Sequence, residues 1–203
     1  MADRARGAPT DVTVSGEDWS GRDVSGQAHT RVAFVDVDMS EVHDEGAVFT
    51  ECTFRGVRFN ASVHANAAFL NCTFSGCDFF DARLTECKLV GSTFARCTFD
   101  ALRVAGGNWS FVALPSADLR RASFSGVRLR EADLTGARLQ GATLRDADLS
   151  GATLRGAQLA RCDLRGSDLS AVEPEHVALR GAIVTYEQAL AIAAALGLDI
   201  RAE

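Results

Sequence analysis

No apolar run in this sequence approaches the roughly 18 residues that a membrane-spanning helix needs. The polar start Met1–Thr10 has no apolar core of the kind a secretory leader carries. We therefore expect a cytoplasmic protein without a membrane partner. Catalytic constellations are missing too. His29, His43, His64 and His176 are scattered along the chain, and no glycine-rich stretch ends in the Lys-Ser/Thr of a phosphate-binding loop. No serine has an evident base beside it. The six cysteines (Cys52, Cys72, Cys77, Cys87, Cys97, Cys162) share one phase of a repeat and lack the ligand spacing of a zinc site. Neither an enzyme, nor a cofactor, nor a metal ion is expected.

What the sequence has is repetition. From Ala117 to Ser170 a five-residue phrase recurs without a slip, and repeats decide a fold before single motifs do. Counting in fives from Leu119 over Val14 to Val184 gives 35 centres, of which 31 are apolar. The exceptions are His29, Asp44, His64 and Pro174. Two residues before a centre the side chain is mostly small, and every cysteine falls there, as a small buried hydrophobe would. Two residues after a centre stand 15 of the 18 glycines, a turn placement.

A period of five fits neither a helix nor a flat strand, because inward residues recur at alternating steps of two and three. A chain that turns inward twice in five residues winds around a shared axis as a solenoid. With four repeats per coil, residues 20 apart stack about 4.8 Å from each other. Phe34, Phe54, Phe74, Phe94, Leu114, Leu134 and Leu154 then form one inner column. Phe59, Phe79, Phe99, Leu119, Leu139 and Leu159 form another, and the filled interior leaves no substrate pocket. Residues 42–46 and 62–66 put Asp44 and His64 at buried positions 20 apart. Either the two side chains pair inside or both segments bulge outward, and the bulges are the expected outcome. Residues 102–114, with Gly106-Gly107-Asn108, are read as a third bulge.

The expected organisation is a disordered tail at 1–13, a solenoid at 14–184 whose first coil is frayed, and a closing helix with its tail at 185–203. Thr185 is a suitable N-cap with Gln188 at the third helical position. Tyr186, Ala189, Leu190, Ala193 and Leu196 follow at helical spacing, with Ile200 beyond Gly197. This element either caps the open end of the solenoid or also joins two copies.

The phrase, clearest at Ala132-Asp133-Leu134-Thr135-Gly136 and Ala147-Asp148-Leu149-Ser150-Gly151, resembles the pentapeptide repeat proteins. That resemblance implies an all-β fold, a right-handed quadrilateral β-helix with a short C-terminal α-helix. The closing Tyr186-Glu187-Gln188-Ala189-Leu190 and Leu196-Gly197-Leu198-Asp199-Ile200 are similar to the ends of the Qnr and MfpA-type fluoroquinolone-resistance proteins. What this implies is a DNA mimic acting on DNA gyrase or topoisomerase IV and a homodimer through the terminal helix.

Charge bears on that implication. Residues 1–99 hold 14 acids and 9 bases, so an acidic surface is stronger there and repels nucleic acid. Asp36, Asp38, Glu41, Asp78, Asp81 and Asp118 are the candidate acidic edge. Along Asp38, Glu41, Asp78, Asp81 and Asp118 one charge falls per about 4 Å, against one per about 1.7 Å in duplex DNA. In the second half, arginines after each centre alternate with aspartates, a mixed solvated face. Leu70, Phe80 and Phe111 break the outward polarity as a candidate apolar contact.

Overall fold

The computed structural model describes residues 9–201. Strand partners lie 20 residues apart: Val14 beside Phe34, Phe54 beside Phe74, His64 beside Leu84, and Phe49 beside Phe69. These pairings are parallel, so each coil of four pentapeptides stacks on the one before it. The result is a four-sided parallel β-helix, whose faces are named below by Phe54, Phe59, His64 and Phe69. The Phe54 face holds a five-stranded sheet running from Val12–Ser15 to Thr93–Ala95. The His64 face holds six strands, from His43–Glu45 to Thr143–Arg145, and the Phe69 face holds three, Ala28–Thr30, Val48–Thr50 and Ala68–Leu70. On the Phe59 face the described residues form only single bridges, such as Asp38 to Arg58 and Arg58 to Asp78.

The residue before each centre explains the difference. None of the 14 described strands carries Asp or Asn there. Where one stands, its side chain accepts the backbone N–H two residues on: Ser20 donates to Asp18, Ser40 to Asp38, Phe80 to Asp78, Ser110 to Asn108 and Thr135 to Asp133. Such a turn offers the backbone a local partner in place of the ladder. The Phe59 face has Asp at 18, 38, 78 and 118 and accordingly no strand.

Inside, Phe34, Phe54, Phe74 and Phe94 stack with ring centroids 5.0, 4.8 and 4.6 Å apart. Leu114, Leu134 and Leu154 continue the column, all buried. Trp109 stacks 6.2 Å above Phe94 and meets Phe124 edge-on at 5.8 Å. Gly107, just before it, has φ +85°, and a side chain there would strike the Cys87 carbonyl. The close approach of backbone to backbone needs glycine.

The expected bulges do not form. His43–Glu45 and Val63–Ala65 pair in register, and Asp44 and His64 point inward, 4% and 3% exposed. Each finds its hydrogen-bond partners inside, so neither has to leave the coil. Residues 102–114 also stay in the coil, with Arg103–Ala105 a strand and Leu102, Trp109 and Leu114 buried. The first strand starts at Val12, two residues before the expected boundary, while residues 1–8 of the expected tail lie outside the described part.

The irregularity comes later. Two backbone bonds join successive coils along the Phe59 face, as in Phe79 N–H to the Thr98 carbonyl and Thr98 N–H to that of Cys77, both 3.0 Å. Between the coils of Thr98 and Asp118 they are missing. Among the described residues, the N–H groups of Arg96, Phe99, Ala101 and Asp118 make no such bond. One coil below this gap, where both backbone bonds are intact, the ring stacking already widens from 4.8 Å for Phe59–Phe79 to 5.7 Å for Phe79–Phe99. Arg121 is the one turn residue from 16 to 166 without a positive φ. Pro115 stands at this seam. It has no N–H to donate, and the Phe54-face sheet, whose next strand would include it, ends one coil below.

Candidate functional site

The acidic residues divide by partner. Asp38, at the centre of its column, is held by Arg58 at 2.5 Å, and Asp81 by Arg103 at 3.2 Å. Asp118 takes both Arg120 (2.7 Å) and Arg138 (2.8 Å). The Arg58 hydrogen bond, then that of Ser40, holds the Asp38 carboxyl down at about 2. Asp118 is lowered chiefly by Arg120. Among the described residues, Asp36, Glu41 and Asp78 enter no ion pair; Asp78 accepts from Asn60, Thr98 and the Phe80 N–H. Asp36 and Glu41 stand exposed at the two corners that bound the Phe59 face, and Asp18 adds a carboxylate one coil below Asp38. Half of the proposed edge is thus neutralised by arginines; of the other half, Asp36 and Glu41 face solvent, and Asp78 is half-buried without an arginine partner.

The opposite half behaves as a mixed face. Asp163 is held at about 2, first by Arg165 at 2.7 Å, with Arg145 at 4.0 Å as a further neighbour.

The apolar residues do not form one patch. Leu70 and Val90 stack one coil apart after the Phe69 face, half-buried, and Phe111 follows in the next coil, 53% exposed. Phe111 also has φ +61°, an uncommon conformation for a bulky side chain. Phe80, 49% exposed, follows the Phe59 face and so lies across the solenoid from them. The 20-residue coil separates what the linear spacing grouped.

The closing helix spans Tyr186–Ala195 with the full capping box of Thr185 and Gln188. Gln188 also donates to the Leu164 and Ser167 carbonyls at 2.8 and 2.7 Å, closing the last coil. Ile192, one turn on, packs against the core. Both were outside the apolar set read from the sequence, although Gln188 was placed as a cap. Of that set, Leu190 and Ala193 are half-buried, Ala189 is exposed, and Tyr186, Leu196 and Ile200 are exposed at 75%, 51% and 49%. Capping uses one stripe of the helix and leaves another apolar one uncovered.

Inside the coil the pairing of Asp44 and His64, the alternative to the expected bulges, does form, and it takes in Ser62, which the sequence reading left out. His64 Nδ1 lies 2.9 Å from Asp44 Oδ2 and Nε2 lies 3.1 Å from Ser62 Oγ. Ser62 donates its hydroxyl proton to the Phe59 carbonyl at 2.7 Å, and Asp44 Oδ1 accepts the Ala47 N–H at 2.8 Å. With that hydroxyl proton committed, Nε2–H must donate to Ser62, and one proton lies between Nδ1 and Asp44. The order of serine, histidine and aspartate is that of a nucleophile and its base, but Ser62 is 0% exposed. No substrate reaches it, and the cluster serves packing. The signal in the sequence was the spacing of 20 between Asp44 and His64, together with a serine at the small position before His64.

No helix among the described residues is long and apolar enough to cross a membrane. A model for pentapeptide repeats matches in eight copies over residues 103–136, 114–151 and 132–170. A model for the SV2A/B/C luminal domain matches residues 24–102, so the two matches adjoin in the coil below the seam. Comparison with curated proteins gave no match. Among solved structures, HetL, a pentapeptide repeat protein involved in heterocyst differentiation regulation from the cyanobacterium Nostoc sp. strain PCC 7120, is 20% identical over 84% of each chain, with a TM-score of 0.54. Full-length QnrB1, a plasmid-mediated fluoroquinolone resistance protein, is 21% identical over 93% of this chain and 99% of its own, with a TM-score of 0.47. At such identities the likeness to HetL speaks for the fold.

Proposed function

We propose that this chain, a pentapeptide repeat protein by its matched repeats and its coil, is a non-enzymatic DNA mimic that binds a type II topoisomerase. DNA gyrase or topoisomerase IV is the proposed partner, in the cytoplasm, and resistance to drugs acting on that enzyme is the proposed outcome. The observation that carries the reading is the free charge of Asp18, Asp36, Glu41 and Asp78 around one face of a filled rod. Carboxylates held at coil spacing on a stiff rod meet a cationic DNA-binding groove with little ordering cost. The uncovered stripe of Tyr186, Leu196 and Ile200 supports a second copy joined end to end, which doubles the length of the rod.

A second reading, a scaffold for an unrelated protein partner, is favoured by the ion pairs at Asp38, Asp81 and Asp118. They remove charge from the edge, and the Asp residues also build the local turns. Supercoiling by gyrase and decatenation by topoisomerase IV, titrated with the protein with and without a fluoroquinolone, separate the two. A dose-dependent change that weakens when Asp36, Glu41 and Asp78 are replaced by Lys supports the mimic. No effect on either enzyme leaves the scaffold. In the same preparation, Leu196→Asp is expected to convert a dimer to a monomer by light scattering, and an unchanged mass removes the helix from the interface.

A further inference from the structure

The seam uncovers one cysteine of the six. Cys52, Cys72, Cys77, Cys87 and Cys162 are buried, whereas Cys97 is half-buried. The coil above it is the one that lost its ladder bonds at Arg96, Phe99 and Asp118. A cleft of about 150 Å³ opens there, walled by Phe94, Phe99 and Pro115, with Arg96 and Arg138 also lining it. Cys77 lies beneath Cys97, since the register pairs Ser75–Ala95 and Asp78–Thr98 flank the two. Opposed Cα atoms on stacked parallel strands are about 4.8 Å apart, inside the roughly 4.4–6.8 Å that a disulfide spans.

We propose that Cys77 and Cys97 form a thiol–disulfide exchange site for small anionic disulfides, with Cys97 as the attacking thiol and Cys77 as the resolving one. The charge around the cleft selects the class of reagent. Asp118, the one acid in the lining, is held by Arg120 and Arg138. Arg96 bonds the neutral Ser75 hydroxyl at 3.0 Å and keeps its charge for a ligand. The unbonded N–H groups of Arg96 and Phe99 add donors for a carboxylate. The neighbouring Cys77 thiol holds the Cys97 thiol below its ordinary value, while Cys97 and burial push Cys77 up. Cys72 does the same for Cys52, which falls to about 7, yet Cys52 is 1% exposed. Access, not acidity, separates the two stacked pairs.

The chemistry is two successive exchanges. The Cys97 thiolate attacks one sulfur of the small disulfide; its S–S bond breaks, a Cys97 mixed disulfide forms, and one thiolate leaves and takes a proton from water. With Cys97 no longer a thiolate, Cys77 gives its proton to the hydroxide so formed and its sulfur attacks the Cys97 sulfur. The mixed S–S bond breaks, the Cys77–Cys97 bond forms, and the second small thiolate leaves and takes a proton from water. In sum the protein's two thiols give up two protons and two electrons, and the small disulfide is reduced to two thiols. The product staples two coils beside the seam, where the Cys97 carbonyl has no ladder bond from Asp118 to resist adjustment.

The test uses the folded full chain with glutathione disulfide, acid quenching, alkylation of free thiols and peptide mass spectrometry. The wild type is expected to yield a linked Cys77–Cys97 peptide, at least about tenfold faster than any change at the buried Cys52, Cys72, Cys87 or Cys162, which must wait for local opening. Cys77→Ser is expected to trap the mixed disulfide at Cys97, and Cys97→Ser to leave Cys77 unmodified. Equal rates at Cys52, or reaction of Cys77 without Cys97, overturn the site. A wild-type mixed disulfide that never resolves overturns the role of Cys77. Arg96→Gln is expected to slow glutathione disulfide and leave an uncharged disulfide, bis(2-hydroxyethyl) disulfide, unaffected; equal slowing of both overturns the anionic preference.

Discussion

The lower and upper halves of the rod share one backbone period and are built differently. From Phe34 to Phe99 aromatic rings occupy most of the lumen, stacked at about the coil repeat, and strands line three of the four faces. From Leu114 upward leucines fill it, and only the His64 face continues as strand, to Thr143–Arg145. The core residue does not cause this change of wall. The outward residue before a centre contributes, with Pro115 at the end of the Phe54-face sheet: Thr53, Thr73 and Thr93 stand in strands, while Asp133, Asp148 and Asp168 take the N–H two residues on and hold turns. Where the two halves meet, four ladder bonds are absent and Pro115 stands in the gap.

The comparison breaks most sharply at the buried Asp44–His64 layer of the lower half. His64→Ala leaves the Asp44 carboxylate buried without its partner and is expected to cost about 3–5 kcal/mol. Replacing Asp44 and His64 together by Leu, the residue that follows them at Leu84, is expected to be close to neutral. Urea denaturation of the two variants checks this, and a double variant as unstable as the single one would give the pair a net stabilising role.

At the seam the expected effect is smaller. Pro115→Ser restores an N–H and is expected to extend the Phe54-face sheet by one strand. Amide exchange at Arg96 and Phe99 then slows roughly 5- to 30-fold, about 1–2 kcal/mol of local stability. Unchanged exchange would place the cause of the gap in the switch from Phe99 to Leu119.

The smallest effect concerns pH. Asp38 and Asp163 are held at about 2 by Arg58 and Arg165, below the unfolded value of about 3.9. A folded-state pKa that is depressed contributes stability above the unfolded value, and this is lost as pH falls from about 5 to about 2. Asp38→Asn and Asp163→Asn are each expected to flatten the acid limb of a melting-temperature profile slightly, because the partner arginines lie exposed at the surface. An equal acid limb in the variants would mean that the arginines hold them with no net effect.

Much of the coil was legible because a repeat states the same instruction many times. The inner columns, the turn positions and the helix cap at Thr185 and Gln188 could all be placed from spacing. The Asp44–His64 pair is legible as a spacing of 20, as one of two alternatives beside outward bulges, and a sequence does not display the backbone groups that complete its hydrogen bonds and decide for pairing. Phe80 and Phe111 look adjacent in a pattern of exposed apolars, yet opposite faces carry them. The acidic edge was legible as composition, whereas the arginines that neutralise Asp38, Asp81 and Asp118 come from neighbouring coils or the same turn.

By itself the sequence determined the period, the inward apolar residues and the filled lumen, because each depends on the local alternation of apolar, small and turn-forming side chains. Only the tertiary structure decided which carboxylates stay free, which cysteine meets solvent and where the ladder opens. Those properties belong to contacts between coils, residues 20 apart, and a single missing N–H at Pro115 is felt only when another coil lies beneath it.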